Sequence, residues 1–280
     1  MDNFDNYQKL TLRESQLLQL DVMKMIHEVC VKENITYYLI AGCLLGAVRH
    51  GGFIPWDDDI DIGMPRKDYE KFKEVFYNHF SREDYFLQDW TTDKYYSHSL
   101  MRLCIKNTIV DKTVEKHLKN CKNRYIDIFP LDNAPADIKA QKQQEKDIKF
   151  YKKLILWQNY RVYNENGKLY VLAKKVVSFF LKAIPLSYLQ KKLEQVMIRY
   201  DAEDTGFLCS MASKYSYKKQ TISTKIYGKP TLIKFEDVEL FGPEKTIEYL
   251  TQLYGPDYMT PPDKKDIVYP CTVYVLKKNK

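Results

Sequence analysis

The sequence lacks several features that would assign it to a well-defined class. Its six cysteines form no Cys-x-x-Cys pair and no cluster with histidine at zinc-binding spacing, which argues against a disulfide framework or a structural zinc site. No apolar run could span a bilayer, because Lys182 and Pro185 interrupt the most apolar stretch. The first ten residues have no apolar segment typical of a signal peptide. We therefore expect a cytoplasmic protein with reduced thiols.

Glycine is also scarce, and its distribution is uneven. The chain has 10 glycines in 280 residues. Half of them lie between residues 42 and 63. Because glycine allows sharp turns and close approach to a ligand, this stretch marks a candidate site. Hydrophobic residues make up 45% of the chain, which predicts a substantial core, and the net charge of +7 suits an anionic substrate, an anionic membrane surface or nucleic acid.

The residue pattern predicts an α+β fold. A capping box at Thr11-Leu-Arg-Glu14 begins an amphipathic helix that extends to about residue 33. Segments rich in β-branched and aromatic residues predict strands at 35–41, 58–62, 85–90, 99–110 and 125–129, the last ended by Pro130. A helix is predicted over 67–80, and helices follow from 136 to 201 with breaks at Asn164–Gly167 and Pro185. We expect a catalytic core over 1–135, a helical insertion over 136–205, and a C-terminal segment over 206–280 that returns to complete the site.

An unusual concentration of acids lies in IPWDDDIDIG, residues 54–63. In a strand, Asp59 and Asp61 project from the same face, about 7 Å apart at Cα, so their carboxylates can converge on one cation. Such crowding raises carboxylate pKa values unless positive charge is present, and Mg²⁺ or Mn²⁺ is the cation that favours carboxylate oxygens and substrate phosphates. Asp57 adds a further carboxylate, and Asp127 in a second short strand is the expected third ligand.

The acidic run has three alternative interpretations. A calcium-binding loop starting at Asp57 would require glycine at Ile62 and glutamate at Asp68, so the calcium loop is excluded. A solvated acidic turn and an edge strand protected from aggregation are structural alternatives that stay open. The alternation of Asp59 and Asp61 with Ile60 and Ile62 indicates a half-buried segment, which favours the metal site.

A strand followed by Gly42 and a helix starting near Cys43 is typical of an anion-binding helix start. The segment matches neither the P-loop nor the dinucleotide-binding pattern, and such a glycine is often only a turn. Arg49 offers a guanidinium suited to phosphate oxygens, or it pairs with the end of its own helix. His50 is a candidate base or phosphate donor, and a surface or capping role is equally compatible with its position.

Three blocks in this order resemble the LicD family, which includes the fukutin-related proteins. They are AGCLLGAVRHGGFIPWDDDIDIGMPRKDYEKF (41–72), RYIDIFPLD (124–132) and LYGPDYMTPP (253–262). The resemblance implies a nucleotidyltransferase-type mixed sheet flanked by helices. It also implies transfer of a substituted phosphate, phosphocholine from CDP-choline above all, to a hydroxyl of a cell-surface glycan such as teichoic acid, lipopolysaccharide or capsule, with release of CMP.

The resemblance also implies roles for individual residues. Asp59 and Asp61 would be the paired metal ligands and Asp127 the third, with Asp57 and Asp58 as supporting acids. We expect Asp127 to act as general base toward the glycan hydroxyl.

Phosphate and headgroup binding are expected on other residues. The pair Gly42-Cys43 occupies the family's Gly-Ser/Thr position, and since a thiol is a weak donor, phosphate binding would rest on backbone N–H groups and Arg49. A choline headgroup calls for an aromatic cage, for which the candidates are Trp56, Tyr254 and Tyr258.

Several alternatives are kept. The donor could carry glycerol phosphate or ribitol phosphate, or the enzyme could be an NTP-dependent nucleotidyltransferase that leaves a nucleotide on its product. A nucleic-acid-binding protein would use the net charge of +7, but the acidic centre of the site argues against it. Residues 171–186 with their lysine-rich flanks could contact the inner face of a membrane, which would suit a lipid-linked acceptor, although packing against the chain's own domain is the favoured expectation.

Overall fold

The computed structural model describes residues 6–111, 122–159, 176–267 and 271–277. Its helices are α1 (Leu12–Lys32), α2 (Ala41–His50), α3 (Arg66–His79), α4 (Ile138–Asn159), α5 (Leu186–Met197), α6 (Tyr217–Gln220), α7 (Thr224–Tyr227) and α8 (Thr246–Tyr254). Residues 176–181 are also helical, and 3₁₀ turns cover Ile198–Tyr200 and Lys264–Asp266. The predicted break at Asn164–Gly167 and the first part of the 171–186 segment lie outside the described residues.

The strands are β1 (Tyr7–Lys9), β2 (Tyr38–Leu39), β3 (Asp61–Pro65), β4 (Tyr85–Gln88), β5 (Met101–Ile105), β6 (Thr108–Asp111), β7 (Arg124–Asn133), β8 (Phe207–Cys209), β9 (Thr221–Ser223), β10 (Thr231–Phe235), β11 (Val238–Gly242) and β12 (Thr272–Leu276). The main sheet has the order β2-β3-β7-β5-β4, and β8 extends it from β7 toward β9. Within it β3 and β7 are parallel, whereas the other neighbours are antiparallel. The mixed sheet with flanking helices confirms the predicted α+β class.

The capping box predicted for the first helix is present. The Thr11 hydroxyl accepts a hydrogen bond from the backbone N–H of Glu14, and the Glu14 carboxylate accepts one from the backbone N–H of Thr11 at 2.7 Å. The apolar face of α1 is buried, with Met23 and Ile26 fully covered. This helix brings Gln16 and Gln19 beneath the acidic segment, where both contact its backbone.

Several strands differ from the sequence prediction: the strand predicted over 35–41 is limited to β2, and the one predicted over 99–110 is divided into β5 and β6. Two further differences have a physical reason. The strand predicted from residue 58 begins at Asp61, because the carbonyl groups of residues 57 and 58 accept hydrogen bonds from the side-chain amides of Gln16 and Gln19. The strand predicted to end at Pro130 continues to Asn133. Pro130 is tolerated because its missing N–H would point toward β5, and the pairing of β5 with β7 ends where Met101 lies opposite Ile128.

The buried apolar side chains form two clusters. The larger packs α1, α2, α3 and the C-terminal helix α8 against the main sheet, so it combines residues from both ends of the chain. The smaller lies between α4 and α5 and includes Cys209, Met211 and Tyr217. The division into three segments at residues 135 and 205 stays a prediction. Within the described ranges, no helix has the length and apolarity needed to cross a bilayer.

Candidate active site

The acidic residues converge at one edge of the parallel strand pair. Asp61 in β3 lies directly opposite Asp127 in β7, and parallel strands in register place such side chains on the same face. Just before β3, carboxylate oxygens of Asp57, Asp58 and Asp59 lie within 4.8 Å of one another. The topology therefore brings acids from two distant parts of the sequence to one location.

The electrostatics of this cluster are unfavourable for the bare protein. Burial and the charges of Asp127, Asp59 and Asp57 raise the pKa of Asp61 well above its usual value. Burial and the charge of Asp59 likewise raise the pKa of Asp57. A divalent cation would relieve this repulsion, and carboxylate oxygens are the donors that Mg²⁺ and Mn²⁺ favour. The residues present therefore fit a divalent metal.

Two arginines hold some of these acids, and the sequence reasoning missed both. Arg102 donates from Nε to Asp127 Oδ1 at 2.8 Å, with its guanidinium 3.9 Å from the Tyr125 ring centroid. Arg124 donates to Asp58 Oδ2 at 2.8 Å and lies 3.4 Å from Asp59 Oδ1. Asp58 is thus engaged inside the protein, whereas the Asp59 side chain is 60% exposed. No local pattern points to Arg102, because its partner is 25 residues away.

The Cys43 thiol connects the backbone of the acidic segment. It accepts a hydrogen bond from the Asp61 backbone N–H at 3.1 Å and donates one to the Asp59 carbonyl at 3.3 Å. Burial and the charge of Asp61 raise the pKa of Cys43 well above its usual value, so the thiol stays protonated and can donate. A Cβ on the preceding residue, Gly42, would lie 3.1 Å from Asp57 Oδ2. The small residues that begin α2 thereby set the position of the acids.

Arg49 lies at the C-terminal end of α2 and reaches across to the YGPDYMTPP segment. Its Nη1 donates to the backbone carbonyls of Tyr258 at 3.0 Å and Thr260 at 3.5 Å. It forms no ion pair with any residue of the described ranges, and burial lowers its pKa. The next residue, His50, is exposed and packs edge-on against the Trp56 ring, with centroids 5.9 Å apart.

A cavity of about 440 Å³ opens over these residues. The predicted site residues that line it are Gly42, Cys43, Arg49, Trp56, Asp57, Asp59, Asp61, Tyr254 and Tyr258. Two others do not line it: His50, and Asp127, which Arg102 holds on the strand next to Asp61. The lining also includes residues that the sequence reasoning missed, namely Lys214, Tyr215, Asp257 and Thr260.

Lys214 supplies positive charge opposite the acids. It precedes α6 in the C-terminal part of the chain, and its charge lowers the pKa of both Asp57 and Asp61 against the effects that raise them. It forms no ion pair with any described residue, which leaves its ammonium available to an anion in the cavity. Its basic and aromatic surroundings, SKYSYKK, were the only signal in the sequence.

Three comparisons with known proteins bear on this site. Residues 34–165 match the family model described as LicD/FKTN/FKRP, nucleotidyltransferase domain. The lipopolysaccharide cholinephosphotransferase LicD of Haemophilus influenzae is 31% identical over 271 residues, which cover 92% of this chain and 95% of that protein. The human ribitol 5-phosphate transferase FKRP is 53% identical over 35 residues, which cover 12% of this chain and 7% of that protein.

Proposed function

Because the chain belongs to the LicD family, we propose that it transfers phosphocholine from CDP-choline to a hydroxyl group of a cell-surface glycan, such as teichoic acid, lipopolysaccharide or capsule, and releases CMP. The observation that carries the proposal is one cavity lined by both acidic and aromatic side chains, in a chain that matches a cholinephosphotransferase along nearly its whole length. The acids suit a metal-bound diphosphate, and the aromatic rings suit a cationic headgroup.

The aromatic residues that line the cavity support choline as the headgroup. Trp56, Tyr215, Tyr254 and Tyr258 all line the cavity, and the Tyr215 and Tyr254 rings meet edge to face with centroids 6.0 Å apart. Aromatic faces attract quaternary ammonium groups through the ring quadrupole. Asp257 adds negative charge to the lining of the same cavity. A neutral alditol would lack the electrostatic attraction that a cationic headgroup has to the ring faces and to the carboxylate.

We assign Mg²⁺ or Mn²⁺ to Asp57, Asp59 and Asp61, which line the cavity, and to Asp127, which lies opposite Asp61 on the neighbouring strand. When bound there, the ion would neutralise the donor diphosphate and stabilise the leaving CMP. Asp61 and Asp59 reach the cavity directly, while Arg102 fixes the carboxylate orientation of Asp127.

In the proposed reaction, residues of the chain act as general base and as phosphate-binding groups. The oxygen of the glycan hydroxyl attacks the β-phosphorus, the bond from that phosphorus to the bridging oxygen breaks, and CMP leaves with the bridging oxygen. Asp127 accepts the hydroxyl proton, and its fixed orientation keeps the accepting oxygen in place. Arg49 and Lys214 contact the phosphoryl oxygens, where their positive charge offsets the charge of the transferred group.

The test is CMP release by the purified protein with Mg²⁺, CDP-choline and a cell-wall glycan acceptor. We expect turnover that stops with chelator and with Asp59→Asn, and returns when Mg²⁺ is restored to the chelated protein. Asp257→Asn should raise the KM for CDP-choline and leave CDP binding unchanged, because it contacts only the headgroup. Turnover that persists with excess chelator would contradict the metal assignment.

The relation to FKRP supports a second candidate, an alditol-phosphate transferase that uses CDP-ribitol or CDP-glycerol. The same assay run with each donor separates these activities by their kcat/KM values. An NTP-dependent nucleotidyltransferase would instead leave a nucleotide on the acceptor, which mass spectrometry of the product detects. We expect no nucleic-acid ligand, because carboxylates occupy the cavity.

A further inference from the structure

A second surface, away from the cavity, exposes adjacent aromatic side chains. In the helical residues 176–181, Phe179 is 72% exposed and Phe180 is 68% exposed. Their ring centroids lie 5.7 Å apart. Val176 on the same segment is 49% exposed, and of these helical residues Leu181 is the one that is buried. The expectation that this segment packs its apolar side chains against the chain's own domain is therefore wrong for its two phenylalanines.

The segment is held firmly on the helical part of the chain. The side-chain amide of Gln158, near the end of α4, donates to the carbonyl groups of Leu181 and Ile184. Leu156 on α4 is 53% exposed and Tyr188 on α5 is 52% exposed, so the neighbouring helices also present apolar side chains to solvent. The two hydrogen bonds from Gln158 attach the segment that carries the exposed rings to α4.

The parts of these elements nearest the exposed rings carry charges of one sign. Residues 148–159 and 176–193 contain six lysines and no aspartate or glutamate. Lys152 is largely buried and donates to the Met211 carbonyl, and Lys149 pairs with Glu145 at 2.6 Å. Four lysines form no ion pair within the described parts of the chain: Lys153, Lys182, Lys191 and Lys192. Residues 148–159 and 176–193 therefore combine exposed apolar side chains with lysines that form no ion pair within the described parts of the chain.

We propose that this basic apolar surface, defined by Val176, Phe179, Phe180, Lys182, Tyr188, Lys191 and Lys192, docks the protein on an anionic lipid bilayer. Aromatic side chains insert at the boundary between headgroups and acyl chains, and lysines are attracted to anionic headgroups. Charge complementarity identifies the occupant, because a second copy of the chain would bring lysine against lysine. The proposal does not depend on the proposed function, since bilayer binding requires no turnover.

The first test measures co-sedimentation of the full chain with vesicles of phosphatidylcholine and phosphatidylglycerol at 7:3. We expect binding to these vesicles and at least tenfold weaker binding to pure phosphatidylcholine. The variant Phe179→Ser/Phe180→Ser should lose at least tenfold in vesicle affinity. The matched control, Leu232→Ser/Ile247→Ser, removes side chains that are 54% and 68% exposed elsewhere and should bind like the unmodified chain.

A second pair of variants tests the charge. Lys182→Gln/Lys191→Gln/Lys192→Gln should bind anionic vesicles at least tenfold more weakly and with less dependence on salt, because fewer lysines remain to attract the lipid. The control Lys218→Gln/Lys219→Gln/Lys225→Gln removes three lysines outside the surface. Thermal melting of every variant identifies any that fails to fold.

Three outcomes would overturn the proposal. The first is no binding of the unmodified chain to anionic vesicles, and the second is an equal loss of binding in a surface variant and its control. The third is a dimer, detected by sedimentation velocity, that Phe179→Ser/Phe180→Ser dissociates while vesicle binding is absent. That third result would assign the surface to a second copy of the chain.

Discussion

Two acidic clusters in this protein have similar composition and different surroundings. At the cavity, Asp57, Asp59 and Asp61 face an open volume of about 440 Å³. In the second cluster, Asp132 is fully buried, and Arg66 Nε lies 2.6 Å from its Oδ1. The acids Glu70, Glu194 and Asp201 also lie within 4.0 Å of the same guanidinium.

The difference shows what separates a binding site from a structural cluster. Arg66 is the internal cation of the buried cluster, and it connects β7 and α3 with the region that follows α5. At the cavity, the carboxylate of Asp61 has no such cation of its own among the described residues, and its neighbours raise its pKa. Carboxylates such as Asp61, which line an open cavity without an ion pair among the described residues, are better placed to take a metal ion than Asp132.

The largest expected effect comes from removing an acid that faces the cavity. Asp61→Asn should reduce kcat on the order of 10³-fold, because it removes a proposed metal ligand from the reacting centre. Its melting temperature should stay equal to or above that of the unmodified chain, since one repelling charge is gone. The check is CMP release together with thermal melting. Asp132→Asn should instead lower the melting temperature and have the smaller effect on kcat. The same changes in both variants would contradict the distinction between the clusters.

Removing the internal cation should have the largest effect on stability. Arg66→Met leaves Asp132 buried and unpaired, which should lower the free energy of unfolding by about 3–5 kcal/mol. Urea denaturation measures this difference. The matched control is Arg199→Met, whose ion pair with Asp147 lies at the surface and should contribute at most about 1 kcal/mol. Equal losses in the two variants would show that burial of the Arg66 cluster has no special role.

The buried cluster also predicts a pH dependence. Burial and the charge of Asp132 raise the pKa of Asp201 to about 6 from its usual 3.8. The folded state therefore holds this proton more tightly than the unfolded state, so stability is greatest below pH 4 for this group and falls as the pH rises to about 6. Between pH 4 and 7, the free energy of unfolding should fall by about 2 kcal/mol less in Asp201→Asn than in the unmodified chain. Urea titrations of both proteins from pH 4 to 7 measure it, and parallel profiles would contradict the assignment.

The smallest expected effect comes from the lysine that lines the cavity, Lys214. Lys214→Met should raise the KM for CDP-choline about tenfold, because the proposed charge-assisted contact with phosphate is lost. Lys214→Arg should restore most of the binding, and Lys218→Met, an exposed neighbour, should leave it unchanged. Steady-state kinetics and calorimetric binding of CDP measure the effect. A similar loss in the arginine variant would show that Lys214 acts through local structure rather than charge.

The comparison of prediction with structure is clearest in the acidic segment. The alternation of Asp59, Ile60, Asp61 and Ile62 predicted buried isoleucines and acids on the other face, and both isoleucines are buried. The length of the strand was wrong, because glutamine side chains from α1 bond to the backbone of residues 57 and 58. Such contacts join residues about forty positions apart, which no local pattern records.

The site residues divide in the same way. The acids, Arg49 and three of the aromatic residues were identified from local motifs and from the resemblance to the LicD family. Arg102, Arg124 and Lys214 were not, since each acts on a partner distant in sequence or on a cavity formed from three separate segments. Binding of Mg²⁺ or Mn²⁺ by these acids stays a prediction.

The amino-acid sequence by itself determined the local elements of this protein: the capped first helix, the alternating acids, and the family to which the chain belongs. Tertiary structure decided which acids line an open cavity and which are buried against an internal arginine. The reason is that charge compensation and burial depend on groups brought together by strand pairing and helix packing. Residues of one type, such as Asp61 and Asp132, thereby acquire opposite roles.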